Sequence, residues 1–158
     1  MTGNVLIYEF PADYTYDDIQ KLTPLEKSHF IKDRGDNLVV DVGLAQIADL
    51  MIATNTNSFA YCCVGSGTNT PAAGNTNLQT IISTGIAVTN RYRSGSVAYF
   101  DTFFSTSANN GTWNETSLST TSAGTVMLCR RVFASPFTKS SSNTALVAWT
   151  ITLASVAD

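Results

Sequence analysis

The chain has 158 residues, a length that suits one domain, and 44% of them are hydrophobic, enough for a core. Only 13% are charged and the formal net charge is −3, which argues against duplex nucleic acid as a partner. No apolar run approaches the ~20 residues of a membrane-spanning helix, and the opening MTGNVLIYEF lacks the basic start and long apolar segment of a signal peptide.

Residues 4–10 form a short apolar stretch closed by Pro11, read as an arm strand or as a peptide laid on a neighbour. Its Leu6, Tyr8 and Phe10 are candidate interface residues. Residues 13–22 gather Tyr14, Tyr16, Asp17 and Asp18. Acids suit the positive end of a helix dipole, so an exposed helix start is favoured over a cation or ligand patch. Tyr14 and Tyr16 join the candidate interface. In Thr23-Pro24-Leu25-Glu26, Thr caps, Pro suits the first helical position and Glu closes a capping box. This predicts a helix to about Asp33, stopped by Gly35. His29 lies within it; no positioned partner is signalled, so it reads as a surface or interface residue rather than a base. Residues 38–40 suggest a short strand. Asp41 then caps a predicted helix over 42–53, whose Leu44, Ile47, Ala48 and Met51 make one apolar stripe expected to pack on the core.

The stretch 59–90 is the organising unit. Residues 59–64 read as a buried strand, bounded by Gly65-Ser66-Gly67. A polar loop with Pro71 and Gly74 follows. Leu78, Ile81 and Ile82 recur at helical spacing, predicting a short helix capped by Asn75 or Asn77, and a strand begins at Ile86. Beyond Asn90 the texture is β throughout. Ser94-Gly95 signals a hairpin turn. In 97–104, Tyr99 and Phe103 share one face and Phe100 and Phe104 the other, as in a strand between two layers. A loop centred on Asn109-Asn110-Gly111 leads to a short strand over 113–118. In 125–133, Arg130 shares a face with Val126, Leu128 and Val132, while Arg131 lies opposite. Adjacent arginines on a strand cannot form one phosphate clamp, whereas pairing of an arginine with Glu115 is a plausible structural role. Ser135-Pro136 is expected to end that strand. Residues 145–153 are the clearest strand: Ala145, Val147, Trp149, Ile151 and Leu153 form an unbroken apolar face.

Tests for chemistry return little. Gly65-Ser66-Gly67 follows a strand, but Thr70 stands where a dinucleotide loop needs its third glycine, and no βαβ pattern surrounds it. The glycines read as backbone turning. No GxSxG elbow is present and no Ser-His-Asp arrangement is signalled. Glu115 could pair with Asp101 as a two-carboxylate site, but spacing alone does not support it. Asn114-Glu115-Thr116 matches a glycosylation sequon, taken as incidental. Cys62, Cys63 and Cys129 carry no zinc-ligand spacing and read as small apolar core or interface residues, with an intermolecular disulfide as the minor alternative.

From about Asp41 onward, over roughly three quarters of the chain, a series of segments appears in a familiar order. They are GLAQIADLM (43–51), VGSGTNTPAAGNTNL (64–78), YFDTFF (99–104), NGTWNETSL (110–118), GTVMLCRRVF (124–133), SPFTK (135–139) and ALVAWTITL (145–153). The order resembles a group of small virion proteins of tailed bacteriophages, related in pattern to the N-terminal modules of tail-collar and tail-fibre proteins. The resemblance implies a non-enzymatic, self-associating β-sandwich that joins fibre, tail or capsid surfaces, without cofactor or metal, in a virion assembled in the host cytoplasm. Its partners are further copies of itself and other virion proteins. Residue pattern and resemblance together give a mainly-β fold, an antiparallel β-sandwich with two or three short helices in the N-terminal half. Residues 1–40 are expected as an arm with a short helix that docks the protein, and residues 41–158 as the sandwich. A tail, collar, baseplate or fibre-attachment role leads. The alternatives are a capsid decoration protein and a carbohydrate-binding receptor-recognition module. The last would take a host glycan on stacking residues drawn from Tyr14, Tyr16, Tyr92 and Trp113. Trp113 completes the candidate interface set.

Overall fold

The computed structural model describes residues 1–153. In chain order the elements are β1 (Thr2–Pro11), α1 (Tyr16–Lys21), α2 (Pro24–Ser28), β2 (Ile31–Asp36), β3 (Leu38–Val39) and α3 (Asp41–Met51). There follow β4 (Tyr61–Gly65), β5 (Ile86–Ala87), β6 (Asn90–Ser94), β7 (Val97–Phe104), β8 (Gly111–Ser119), β9 (Met127–Lys139) and β10 (Asn143–Thr152). They build two five-stranded sheets: β2-β1-β10-β7-β6 and β3-β9-β8-β4-β5. Every pairing between the strands is antiparallel, and the two sheets pack as a β-sandwich.

Strict alternation drives the first sheet. Ala145, Val147, Trp149 and Ile151 of β10 are buried, as are Thr102 and Phe104 of β7 and Val5 and Ile7 of β1. Against them the second sheet sets Cys62, Val64, Trp113, Leu118, Leu128, Cys129 and Phe137. Trp113 is the central piece of this core. Its ring meets Phe104 edge-on at 4.8 Å and Phe137 at 5.1 Å, and its Nε1 donates to the Asn109 carbonyl at 2.7 Å. Each such aromatic pair contributes about 0.5–1.5 kcal/mol beyond simple burial.

The expected N-terminal arm is corrected. β1 lies inside the first sheet, between β10 and β2, in register with β10 from Thr2 opposite Thr152 to Pro11 opposite Asn143. Residues 1–40 therefore supply β1, β2 and β3 to the sandwich itself. Of the domain expected over 41–158, residues 154–158 lie outside the described residues.

Three local expectations also give way, each to tertiary contact. The helix opened by Thr23 stops at Ser28, because Phe30 turns in against Phe10 at 4.6 Å and the chain then pairs with β1 as β2. Residues 78–82 are not helical. Their backbone donors are taken elsewhere: Gln79 and Thr80 donate to the Glu115 carboxylate and Ile82 to the Val64 carbonyl. Ser135-Pro136 does not end β9, which runs on to Lys139. The register shifts between Trp113 opposite Phe137 and Glu115 opposite Val132, so Pro136 occupies a bulge where no ladder bond is required of it.

α3 is rotated away from the expected orientation. Gly43 lies so close to β9 that a Cβ there would meet the Leu128 carbonyl oxygen at 2.6 Å. Gln46 is buried, donating to the Asn57 carbonyl at 2.7 Å and accepting from Asn55 at 3.1 Å. The inward face is thus Gly43, Gln46, Ile47 and Leu50, at i, i+3, i+4 and i+7. Leu44 and Met51 of the predicted stripe face outward, 46% and 82% exposed.

Candidate functional site

The outer face of the first sheet carries the side chains that the core does not take. Across β2, β1, β10, β7 and β6, the residues Arg34, Leu6, Ala148, Asp101 and Asn90 stand in one cross-strand row. On one side of this row α1 and the segments flanking it cover the sheet, burying Phe10, Ile19 and Leu146 with Tyr14, Phe30 and Phe103 around them. Both α1 and α2 start in capping boxes. Thr15 pairs reciprocally with Asp18, and Thr23 with Glu26. These threonine hydrogen bonds hold the Asp18 and Glu26 carboxyls below their ordinary range. The acids beside Tyr16 therefore serve a helix start, as the dipole argument favours.

On the other side of the row the face is open. Tyr92 of β6 lies flat on Tyr99 of β7, with ring centroids 4.6 Å apart and planes 10° apart, and Tyr92 is 54% exposed. Beside this stack, Asp101 is half-buried in the row, next to its β6 end. Tyr16, reaching over from α1, donates its hydroxyl to Asp101 Oδ2 at 3.3 Å. Burial raises the Asp101 pKa against the lowering effects of Tyr16 and Lys27. Burial first and the Asp101 carboxylate second push the Tyr16 phenol up to about 12 and raise that of Tyr8. A carboxylate with one long hydrogen bond is thus ringed by the hydroxyls of Tyr8 and Tyr16, the Asn90 amide and an exposed tyrosine stack.

The candidate residues separate accordingly. Leu6, Tyr8 and Tyr16 belong to the row or border it. Phe10 and Tyr14 are packed on the covered side of the row, their rings 5.5 Å apart. Trp113 is 0% exposed in the core, which removes it from any interface or stacking role. Asn90 and Tyr99 went unnoticed in the sequence as site residues. The period-two pattern of 97–104 already put Tyr99 on the face of Asp101, but nothing in it said which strand lay alongside.

Glu115 does different work. On β8 it faces the opposite outer surface of the sandwich, away from Asp101, so the two carboxyls cannot flank one scissile bond. Arg130 Nε donates to Glu115 Oε2 at 2.8 Å, and Arg130 Nη2 stands 2.8 Å from the same oxygen, at ion-pair distance but off the hydrogen-bond axis. The backbone N–H groups of Gly67, Gln79 and Thr80 also donate to this carboxylate, and Arg130 Nη1 donates to Asn75. One buried acid therefore gathers both ends of the loop 66–80. Gly65 and Gly67 are there for room: a Cβ on Gly65 would stand 2.6 Å from Glu115 Oε1, and one on Gly67 would collide with the same oxygen. Arg131 instead pairs with Asp33 of β2 at 2.8 Å, tying the second sheet to the edge strand of the first.

The three cysteines are fully buried and unpaired. Burial pushes the Cys62 and Cys129 thiols up to about 12 and that of Cys63 to about 11. An intermolecular disulfide has no exposed sulfur to form on. Among the described residues, no group of three or more His, Cys, Asp or Glu side chains is placed to hold a metal ion.

At one end of the sandwich an apolar cleft of about 190 Å³ opens between α3 and the sheets. Ile47, Leu50, Phe59, Phe100, Leu128 and Leu153 line it. Beside it stand Met51, and Ile52 at 70% exposed. Comparison of the chain with protein-family models, with curated proteins and with solved structures finds no match.

Proposed function

We propose that the chain is a non-enzymatic structural subunit of a tailed-bacteriophage virion, a self-associating β-sandwich of the tail, collar, baseplate or fibre-attachment region. The observation that carries this reading is the apolar end. Met51 and Ile52, 82% and 70% exposed, follow directly in sequence on Leu50, which lines an apolar cleft. An exposed apolar segment and an apolar cleft on one protomer offer the two halves of a contact between copies. Exposed apolar groups of this kind mark interaction surfaces in soluble proteins. A net charge of −3 opposes such contact only weakly. The ordered resemblance of 43–153 to small virion proteins adds the setting. In that setting Glu115 and Arg130 hold a surface loop in one shape, as a subunit read by fixed neighbours requires. The test is location. Antibody against the chain, with gold labelling and electron microscopy of purified particles, is expected to mark the tail side. Label on the capsid shell favours the decoration role instead, and particles free of the chain overturn the reading.

A further inference from the structure

The assembly role makes no use of the open face around Asp101. A half-buried carboxylate with one hydrogen bond at 3.3 Å retains acceptor capacity that no protein group uses. Tyr92 is 54% exposed although the aromatics on the other side of the row are tucked under α1 and its flanking segments. We infer that the outer face of the first sheet, centred on Asp101 with Asn90, Tyr16, Tyr92 and Tyr99, is a binding site for a neutral hexopyranose glycan.

The chemistry favours this class. A pyranose ring has an apolar C–H face and a rim of hydroxyls. The Tyr92–Tyr99 stack offers an aromatic surface to the first. Asp101 and Asn90 stand directly opposite each other on β7 and β6, and paired side chains at such positions lie about 5 Å apart. A carboxylate and an amide at that spacing take neighbouring hydroxyls as acceptor and as donor. Tyr16, reaching in from α1, supplies a third polar group. Anionic sugars are disfavoured by the Asp101 charge. Basic peptides are disfavoured by the cations that flank the face: Lys27 acts on Asp101 and Arg34 on Tyr8. The site is also preorganised, since Asp101 stands on a paired strand and Tyr16 on a capped helix.

The inference stands apart from the assembly reading and is tested on the purified full chain. The probe is an array of neutral, amino-bearing and acidic oligosaccharides, with an oligolysine peptide alongside. Neutral hexose-terminated glycans are expected to bind. Tyr92→Ala, an exposed position, is expected to weaken binding about tenfold. Asp101→Asn, isosteric and checked by its melting curve, is expected to do the same. Met51→Asp, at the apolar end, is expected to leave glycan binding unchanged. No retained neutral glycan, binding indifferent to both face variants, or preference for the peptide overturns the inference. A chain found in particles that binds no glycan refutes this proposal alone; a glycan-binding chain absent from particles refutes the assembly reading alone.

Discussion

At the scale of single residues, two carboxylates show how burial divides roles. Glu115 is fully buried and fully engaged, so its removal strands the Arg130 guanidinium and frees the loop N–H groups of Gly67, Gln79 and Thr80. Glu115→Ala is expected to cost about 3–5 kcal/mol, read from urea unfolding. Asp101 is the reverse case. Its folded-state pKa is raised, so the group favours the fold only while protonated, and its charge costs stability once pH rises through that pKa. The groups that face it are Tyr8, Tyr16, Tyr92 and Lys27. None of the tyrosines is ionised near neutrality, so the carboxyl dominates the titration. Asp101→Asn is therefore expected to raise the melting temperature at pH 7, with the gain vanishing below about pH 4, where both side chains are neutral. A substitution that stabilises the fold while weakening glycan binding would be the signature of a residue kept for its function.

At the scale of elements, the strands were legible wherever one face is buried and the other is not. The alternation in 145–153 and 97–104 announces β10 and β7, but the layers expected on both sides of 97–104 are met in part: on the outer face only the Phe103 end is covered, and Tyr99 lies on the open side. The two capping boxes are equally local: the sequence shows the one at Thr23 directly, and the one at Thr15 only as an acidic helix start. What failed was whatever another part of the chain decides. The apolar spacing of Leu78, Ile81 and Ile82 is helical, yet Glu115, distant in sequence, captures the donors a helix would need. Of the stripe on α3 only Ile47 turns inward, because Gly43 and Gln46 fix the rotation, and neither is hydrophobic. Of the site, Tyr16 and Tyr92 were visible as aromatics and Asp101 as an acid; their meeting depends on β6, β7 and α1 coming together, which no local pattern encodes. β1 was legible as a strand but not as an inner one. Deleting residues 1–11 exposes β10 and β2 edges and removes Val5 and Ile7 from the core, so loss of the cooperative thermal transition is expected by calorimetry.

At the scale of the whole molecule, two surfaces of the sandwich differ in character. The outer sheet face around Asp101 is aromatic and polar, whereas the cleft beside α3 is apolar with no segment covering it among the described residues. Self-association through that apolar surface is expected to appear in sedimentation velocity as a dimer or higher oligomer at micromolar concentration. Met51→Lys combined with Ile52→Lys places two charges where the apolar contact forms, and is expected to return the chain to monomer without lowering its melting temperature, since both positions are solvent-exposed and cations suit the C-terminal end of α3. A wild-type chain that sediments only as monomer would remove the apolar end as the basis of assembly.

The pairing of β1 with β10 carries one more consequence, in time rather than in space. The earliest strand made borders the latest one, and every residue of the chain between them must be synthesised before the two can zip together. Until then a growing polypeptide displays an unclosed ribbon with Val5 and Ile7 bare, an invitation to sticking between nascent copies. Expression at lowered temperature, or with holdase chaperones supplied, should accordingly lift the soluble yield of this protein more than that of a sandwich whose neighbouring strands are consecutive.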